Sequence, residues 1–309
     1  MITVVILNWH TPDFTVRSVR ALADDGVPLG RIVVVDNGST DDSFARFHEE
    51  IPGAVLVRLN ENIGFGRASN VGARTLPGSS YLMVNSDAFL HRPGSVDRML
   101  RALEGPDVGI VAPRILNLDG TLQPSVVPTT TPAVAAVRAS GLSRFVPDRF
   151  QPGWSTHWKH DESREIEAAN GAVLLIGRET WDALGGFDER IHMYAEDLDI
   201  CWRARRLGRK VWFVHDAEFL HVGAGSTGGD ERNPDRAERI ARSEAVMLTR
   251  NLSPGEARLA TGFMAAGFLG REAVYRALRK PRAAAEMRGS LRGLRAGRRE
   301  ALTRRERGT

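Results

Sequence analysis

Three groups of side chains in this 309-residue chain have the types and spacing to do chemistry. The densest is Tyr194-Ala195-Glu196-Asp197-Leu198-Asp199, followed by Trp202-Arg203. Acids at a helix start complement the macrodipole, and Asp199 and Arg203 stand at the i, i+4 spacing of an ion pair. Adjacent carboxylates at a domain mouth also suit one acid as general base and its neighbour as a substrate ligand. A second group, Asn85-Ser86-Asp87, ends the apolar run Tyr81-Leu82-Met83-Val84. A carboxylate at the end of a buried strand must offset its desolvation, through a metal ion or as a helix cap. The third is Asp36, which opens the turn Asn37-Gly38-Ser39. These are turn residues, with Ser39 read as the cap of the next helix. A carboxylate there can also accept from a base N–H or a ribose hydroxyl.

Two weaker signals accompany them. The loop Asn60-Glu61-Asn62-Ile63-Gly64-Phe65-Gly66-Arg67-Ala68-Ser69-Asn70 carries two glycines. Its backbone N–H groups can cradle a phosphate beside Arg67, or it can be a plain strand-to-helix connection. His221 ends the run Ala217-Glu218-Phe219-Leu220. Read alone, a single histidine is first a structural one.

The elements that must position these residues follow from the hydrophobic pattern. Apolar runs at 2–7, 32–36, 55–59 and 81–85 are Val/Ile/Leu-rich without alternation, as buried parallel strands are. Helix signals lie between them. Thr11-Pro12 offers a cap and a proline at the first position, and Ser39-Thr40-Asp41-Asp42 precedes Phe44 and Phe47. Repeated βαβ units imply an α/β chain with a doubly wound, mostly parallel, Rossmann-like sheet. Ligands of such sheets bind beyond the carboxyl ends of the strands, where Asp36 and Asn85 to Asp87 fall.

The middle of the chain reads differently. Pro124, Pro128, Pro132, Pro147 and Pro152 mark an irregular excursion or lid, with room for a helical insert around 133–141. Regularity returns with an apolar run at 172–176, a helix over 178–184, Gly185-Gly186-Phe187-Asp188-Glu189, a helix over 197–207 closed by Gly208, and a strand at 211–214. No internal repeat is found. Past residue 229 the chain is Arg-rich and helical in pattern. The expected division is 1–227, split into a 1–115 half and a 116–227 half, followed by a basic helical region over 228–309.

The net charge of +4 hides an asymmetry. Residues 271–309 carry +9, which leaves −5 for residues 1–270. A mildly acidic body with a basic tail does not fit a protein that coats nucleic acid over its whole surface. The single Cys201 excludes an intramolecular disulfide framework and a multi-cysteine zinc site. No apolar stretch reaches the roughly 18 residues of a membrane span. No basic leader precedes the first apolar run, so a cytoplasmic location is expected.

Taken in order, these motifs resemble the family 2 glycosyltransferases of GT-A fold. The resemblance rests on Val4-Val5-Ile6-Leu7-Asn8-Trp9, Val35-Asp36-Asn37-Gly38-Ser39-Thr40-Asp41, the Asn62-to-Asn70 loop, Asn85-Ser86-Asp87-Ala88 and Gly185-Gly186-Phe187-Asp188-Glu189. The run at 194–199 with Trp202-Arg203 is similar to the branch of bacterial rhamnosyltransferases and related cell-wall or O-antigen enzymes. The resemblance covers residues 1–227 and implies an inverting, metal-dependent transfer of a sugar from a nucleotide diphosphate to a hydroxyl of a glycan or lipid-linked acceptor. dTDP-rhamnose is the donor that branch favours. By position, Asn8, Asp36, Asn62, Gly66, Arg67, Asn70 and Asn85 would line the nucleotide-sugar site. Asp87 and His221 would hold Mn²⁺ or Mg²⁺, Asp197 would be the base, and Glu196 would help hold the acceptor. There are two departures. Asn85 replaces the first acid of the family's Asp-x-Asp motif, and His10 stands where Asn is common.

Two other classes remain open at this point. A sugar nucleotidyltransferase would carry a Gly-rich N-terminal loop, and residues 2–12 contain no glycine. A non-catalytic binding protein would use the basic tail on nucleotide, nucleic acid or a partner. The tail interleaves its cations with Leu259, Phe263, Met264, Phe268, Leu269, Val274, Leu278, Leu291 and Leu294. That pattern favours amphipathic helices resting peripherally on the anionic inner face of the membrane over 257–309, rather than a nucleic-acid arm. A basic helix that packs on the body or joins a homo-oligomer is the competing reading.

Overall fold

The computed structural model describes residues 1–141, 145–146, 158–223 and 233–306. Its first half is built from β1 (Ile2–Asn8), β2 (Ile32–Asp36), β3 (Val55–Arg58) and β4 (Ser80–Asn85), parallel and in the order β3-β2-β1-β4. The connections run through α1 (Pro12–Asp24), α2 (Ser43–Glu50) and α3 (Phe65–Thr75). The apolar runs lack alternation because both sheet faces are covered. Val5, Leu7, Val33 and Val35 enter one core, and Val4, Ile6, Ile32 and Val34 enter the other. The chain reverses its direction of travel across the sheet between β1 and β4, which opens a crevice beyond their carboxyl ends. In register, Asn8 lies opposite Asp36 and Leu7 opposite Asn85.

The second half is mixed rather than parallel. It comprises β5 (Ala88–Leu90), α4 (Ser95–Leu103), β6 (Val108–Leu116), β7 (Val126–Val127), α5 (Pro132–Ser140), β8 (Arg164–Ile166), β9 (Ala168–Ala169), β10 (Val173–Gly177), α6 (Arg178–Leu184), α7 (Glu196–Arg206) and β11 (Lys210–His221). β10 enters antiparallel between β4 and β6, and the sheet continues through β11 to β5, with β8 also on β11. The strand expected at 211–214 is only the first part of β11. Its register breaks between Val214 and Glu218, and the strand then carries on until His221 faces Ala88. The helical insert forms as α5, while Pro147 and Pro152 lie outside the described residues.

Helices α8 (Pro234–Asn251), α9 (Pro254–Ala277) and α10 (Pro281–Glu306) follow. The expected boundary at 227 falls outside the described residues. α8 and α9 share a core with the body: Ala245, Leu248, Ala260 and Met264 cluster with Ile191, and Leu198 and Trp202 pack against them. α10 is fastened to α8 by Gly289, Gly293 and Gly297. A Cβ at these positions would meet the Pro234, Glu238 and Arg242 carbonyl oxygens at 2.2, 2.0 and 2.1 Å. Two ion pairs flank that contact, Arg242 with Glu300 and Arg292 with Glu238, both at 2.7 Å. Among the described residues no helix is long and apolar enough to cross a membrane.

Candidate active site

The crevice is organised first around Asn8 at the end of β1. The Asn8 side-chain amide donates to Asp36 Oδ1 and to Ser39 Oγ, both at 3.0 Å, and its Oδ1 accepts from Thr15 Oγ1 at 2.9 Å. Its hydrogen bonds tie Asp36, Ser39 and Thr15 together, so Asn8 orients the site from beneath. Asp36 Oδ2 is buried and has no partner among the described residues. A buried acceptor of this kind is a place where a ligand donor gains the most. Ser39 does not cap α2. Its hydroxyl turns back to Asn8 and accepts from the His10 N–H at 3.0 Å. Asp41 takes over near the helix start, accepting from the Ser43 N–H at 3.1 Å.

The 60–70 loop is locked to this corner. Asn37 donates to Asn62 Oδ1 at 3.2 Å and accepts from the Ile63 N–H at 3.0 Å, and Asn62 also accepts from the Gly64 N–H. Gly66 lets the start of α3 approach Phe187, where an added Cβ would meet the Phe187 Cβ at 3.1 Å. Arg67 and Asn70, expected along a diphosphate, bond to the Phe187-Asp188-Glu189 segment. Arg67 is half-exposed and donates to the Glu189 carbonyl at 2.9 Å. The buried Asn70 amide donates to the Phe187 carbonyl at 3.0 Å and accepts from the Phe187 N–H at 2.9 Å. Both residues therefore position a loop, because its otherwise unpaired backbone groups need partners.

Asp87 and His221 meet through the turn between β4 and β5 and the end of β11. His221 Nε2 lies 3.4 Å from Asp87 Oδ1, and both side chains are buried. The orientation of His221 is set by Gln123, a residue the sequence reading did not single out. Gln123 Nε2 donates to Asn117 Oδ1 at 3.0 Å, so its Oε1 faces His221 Nδ1 at 2.7 Å. Nδ1 thus carries the hydrogen, and the Nε2 lone pair points at a carboxylate oxygen. Two such acceptors at this separation call for a cation between them or a proton on Nε2, and a divalent ion fits the donor set. Among the described residues no group of three or more His, Cys, Asp and Glu side chains gathers to hold a metal. Any further ligands come from outside these side chains.

Glu196 and Asp197 stand at the start of α7 on an unusual turn. Tyr194 and Ala195, neither of them glycine, both adopt the left-handed region at φ +69° and +65°. Each such residue costs roughly 1 kcal/mol, which persists only where surroundings dictate the conformation. Ser243 of α8 supplies one such constraint, donating to the Met193 carbonyl at 2.7 Å. Asn251, at the end of α8, donates to Asp199 Oδ1 at 2.7 Å, and Arg203 holds Asp199 Oδ2 at 2.6 Å. Arg203 also donates to the carbonyls of Leu184 and Gly186, tying the Gly-Gly-Phe-Asp-Glu loop to the same helix. Arg190 and Arg250 both pair with Asp188, at 2.7 and 2.9 Å.

The result is a carboxylate aimed from α7 toward the ends of β4 and β10. Asp197 Oδ2 accepts from the Gly171 N–H at 2.7 Å and Oδ1 from the Leu198 N–H at 2.8 Å. Glycine is required at 171 because a Cβ there would lie 2.8 Å from the Asp197 Cβ. The next residue, Ala172, accepts from the Asn85 N–H at 2.9 Å, so two backbone steps join Asp197 to the strand that ends at Asn85, two residues before Asp87. The sequence reading did not single out Gly171; the turn pair Asn170-Gly171 ahead of an apolar run is the signal that could have pointed to it. Burial pushes the Asp197 carboxyl upward, against the two N–H groups that favour its charge. Burial and then the neighbouring Asp197 charge push Glu196 up as well, and Glu196 Oε2 has no partner among the described residues. Cys201, on the inner side of α7, is fully buried, and burial pushes its thiol up to about 12, out of reach of chemistry.

Comparison with known proteins shows the family and the fold. The profile of the family described as "Glycosyltransferase like family 2" matches residues 1–242. An N-acetylglucosaminyl-diphospho-decaprenol L-rhamnosyltransferase of Mycobacterium tuberculosis is 30% identical over 217 residues, covering 64% of this chain and 68% of that protein. The O-antigen biosynthesis protein RfbC of Myxococcus xanthus is 25% identical over 234 residues, 74% of this chain but only 18% of that much longer protein. Among solved structures, the mannosyltransferase PcManGT of Pyrobaculum calidifontis, in complex with GDP-Man and Mn²⁺, superposes with a TM-score of 0.57. The two chains are 17% identical, with 97% of this chain and 86% of that one covered.

Proposed function

We propose, since the chain belongs to glycosyltransferase family 2, that it is an inverting, metal-dependent rhamnosyltransferase acting on a lipid-linked glycan. In this reading dTDP-rhamnose is the donor, and the acceptor is a hydroxyl on a sugar carried by a lipid diphosphate. The observation that carries it is the two-step backbone link from Asp197 through Gly171 and Ala172 to Asn85. It sets a carboxylate of raised basicity beside the strand end where the donor diphosphate would lie. Asp36 Oδ2 would accept from the nucleotide. Asp87 and His221 Nε2 would hold a divalent cation, which when bound supplies charge neutralisation to the diphosphate as it departs. Asp197 takes the proton from the acceptor hydroxyl while that oxygen bonds to the anomeric carbon. The bond from that carbon to the diphosphate breaks on the opposite face, and the configuration inverts. Glu196, buried and unpartnered at Oε2, would accept from a second acceptor hydroxyl.

The mycobacterial relative supports both donor class and acceptor class by its name, and the Pyrobaculum neighbour supports the cation by its bound Mn²⁺. The test is a transfer assay with dTDP-rhamnose, UDP- and GDP-sugars against a polyprenyl-diphosphate N-acetylglucosamine acceptor, with Mn²⁺, Mg²⁺ or EDTA. Consumption of dTDP-rhamnose that stops in EDTA is the expected result. Activity indifferent to EDTA would remove the metal assignment, and exclusive use of another donor would remove the rhamnose assignment. Thermal shift with dTDP, UDP and GDP reports nucleotide preference independently of the acceptor.

A further inference from the structure

α9 departs from the pattern of a surface helix. Its inner side packs as expected, with Ala257, Ala260, Met264 and Phe268 buried. The outer side should then be polar. It carries Leu259, Phe263, Leu269 and Val274, and Leu278 follows just past its end; all five are 40–58% exposed. The positions between them, 262, 266, 270 and 273, are glycine or alanine and are exposed as well. The only charges between residues 259 and 275 are Arg271 and Glu272, and both turn inward. Arg271 donates to the Arg138 carbonyl at 3.0 Å, and Glu272 pairs with Arg288 at 3.1 Å. An uncharged apolar strip therefore runs most of the length of a 24-residue helix, about 36 Å at the usual rise. Soluble surfaces rarely expose so continuous an apolar patch without something to cover it.

The ends of the strip say what covers it. Arg258 stands exposed beside the equally exposed Glu256 at one end, and Arg276, Arg279, Lys280 and Arg282 stand exposed at the other. A second copy of the chain packed in parallel on this strip would bring the four-cation ends against each other, and an antiparallel copy would offer each of them only the balanced Arg258 and Glu256 end. An anionic lipid surface meets the four-cation end with opposite charge and accepts the apolar strip below its headgroups. We propose that α9 is an in-plane membrane helix, seated on an anionic bilayer through the face of Leu259, Phe263, Leu269 and Val274. This deepens the lipid-linked acceptor reading by naming the surface that brings the enzyme to it. It assigns the tail's apolar residues to two tasks. Met264, Phe268, Leu291 and Leu294 build the core, and the outer set of α9 meets lipid.

The test uses the full chain and vesicles of phosphatidylcholine with equal phosphatidylglycerol, against phosphatidylcholine alone. Wild type is expected to co-sediment with the anionic vesicles and to partition at least about tenfold less into the neutral ones. A Leu259→Gln/Phe263→Gln/Leu269→Gln variant should lose binding at least about tenfold while keeping its melting temperature and nucleotide binding, because these side chains leave the core untouched. Phe263→Cys carrying an environment-sensitive dye should shift its emission to the blue on anionic vesicles; Cys201 is buried, so labelling is confined to position 263. Failure of the wild type to bind, or unchanged binding by the triple variant, overturns the proposal. A dimer of the full chain that the triple variant abolishes, without vesicle binding, overturns it in favour of a second copy. No donor or acceptor enters these measurements, so their outcome is separate from that of the transfer assay.

Discussion

Asp36 and Asp197 are both carboxylates in the crevice, and the chain holds them in opposite ways. Asp36 sits on a buried parallel strand, opposite Asn8 in register, and its surroundings come from turns within a few tens of residues. Asp197 sits on a left-handed, strained turn whose fixtures arrive from α8, β10 and the Gly185–Glu189 loop. The first is a preformed receptor, stable because the sheet is stable. The second is a carboxylate under tension, stable only while distant elements hold it. The comparison teaches that the basic C-terminal region helps build the candidate site, since Ser243, Arg250 and Asn251 all grip the turn that carries Glu196 and Asp197 or its neighbours.

The largest effect should come from the chemistry at the strained end. Asp197→Asn keeps shape and removes the base, so kcat should fall about 10³-fold with nucleotide affinity unchanged. A variant that turns over normally, or that loses nucleotide binding in proportion, would erase the distinction between the two carboxylates. Ser243→Ala should follow with a loss of about tenfold in kcat, little change in donor KM, and recovery in Ser243→Thr. It removes one hydrogen bond, about 1 kcal/mol, from the turn that aims Asp197. A loss confined to melting temperature would make Ser243 merely structural. Asp36→Asn should have the smallest effect on turnover. It should raise the dissociation constant of the free nucleotide about tenfold, the worth of one hydrogen bond to a charged acceptor, and leave kcat of the saturated enzyme near wild type.

The same contrast explains what could be read from sequence. β1, β2 and β4 were legible because a strand buried on both faces is a continuous Val/Ile/Leu run, and Asp36 and Asp87 were legible because they end or directly follow such runs. Asp197 was legible as one acid among three at a helix start. Its geometry was not, because Gly171, Ser243 and Asn251 reach the turn from 26 to 52 residues away and leave no local periodicity. Gln123 escaped for the same reason, 98 residues from the His221 it orients. Ser39 misled because capping and crossing to Asn8 use the same residue type. The tail misled more deeply. α9 is apolar around nearly its whole circumference, so only the packing of α5, α8 and α10 separates core from outer face.

The most direct test of the account is the pH dependence of kcat in wild type and Glu196→Gln. The base must be ionised to act, and burial raises its pKa, so activity should fall as pH drops through a value above the ordinary carboxylate range. The Asp197 charge helps push Glu196 up to about 8, so Asp197 ionises first and Glu196 is still neutral as it does; replacing Glu196 by Gln should leave that acid limb in place. An acid limb in the ordinary carboxylate range, or one that moves when Glu196 becomes Gln, would contradict Asp197 as the base.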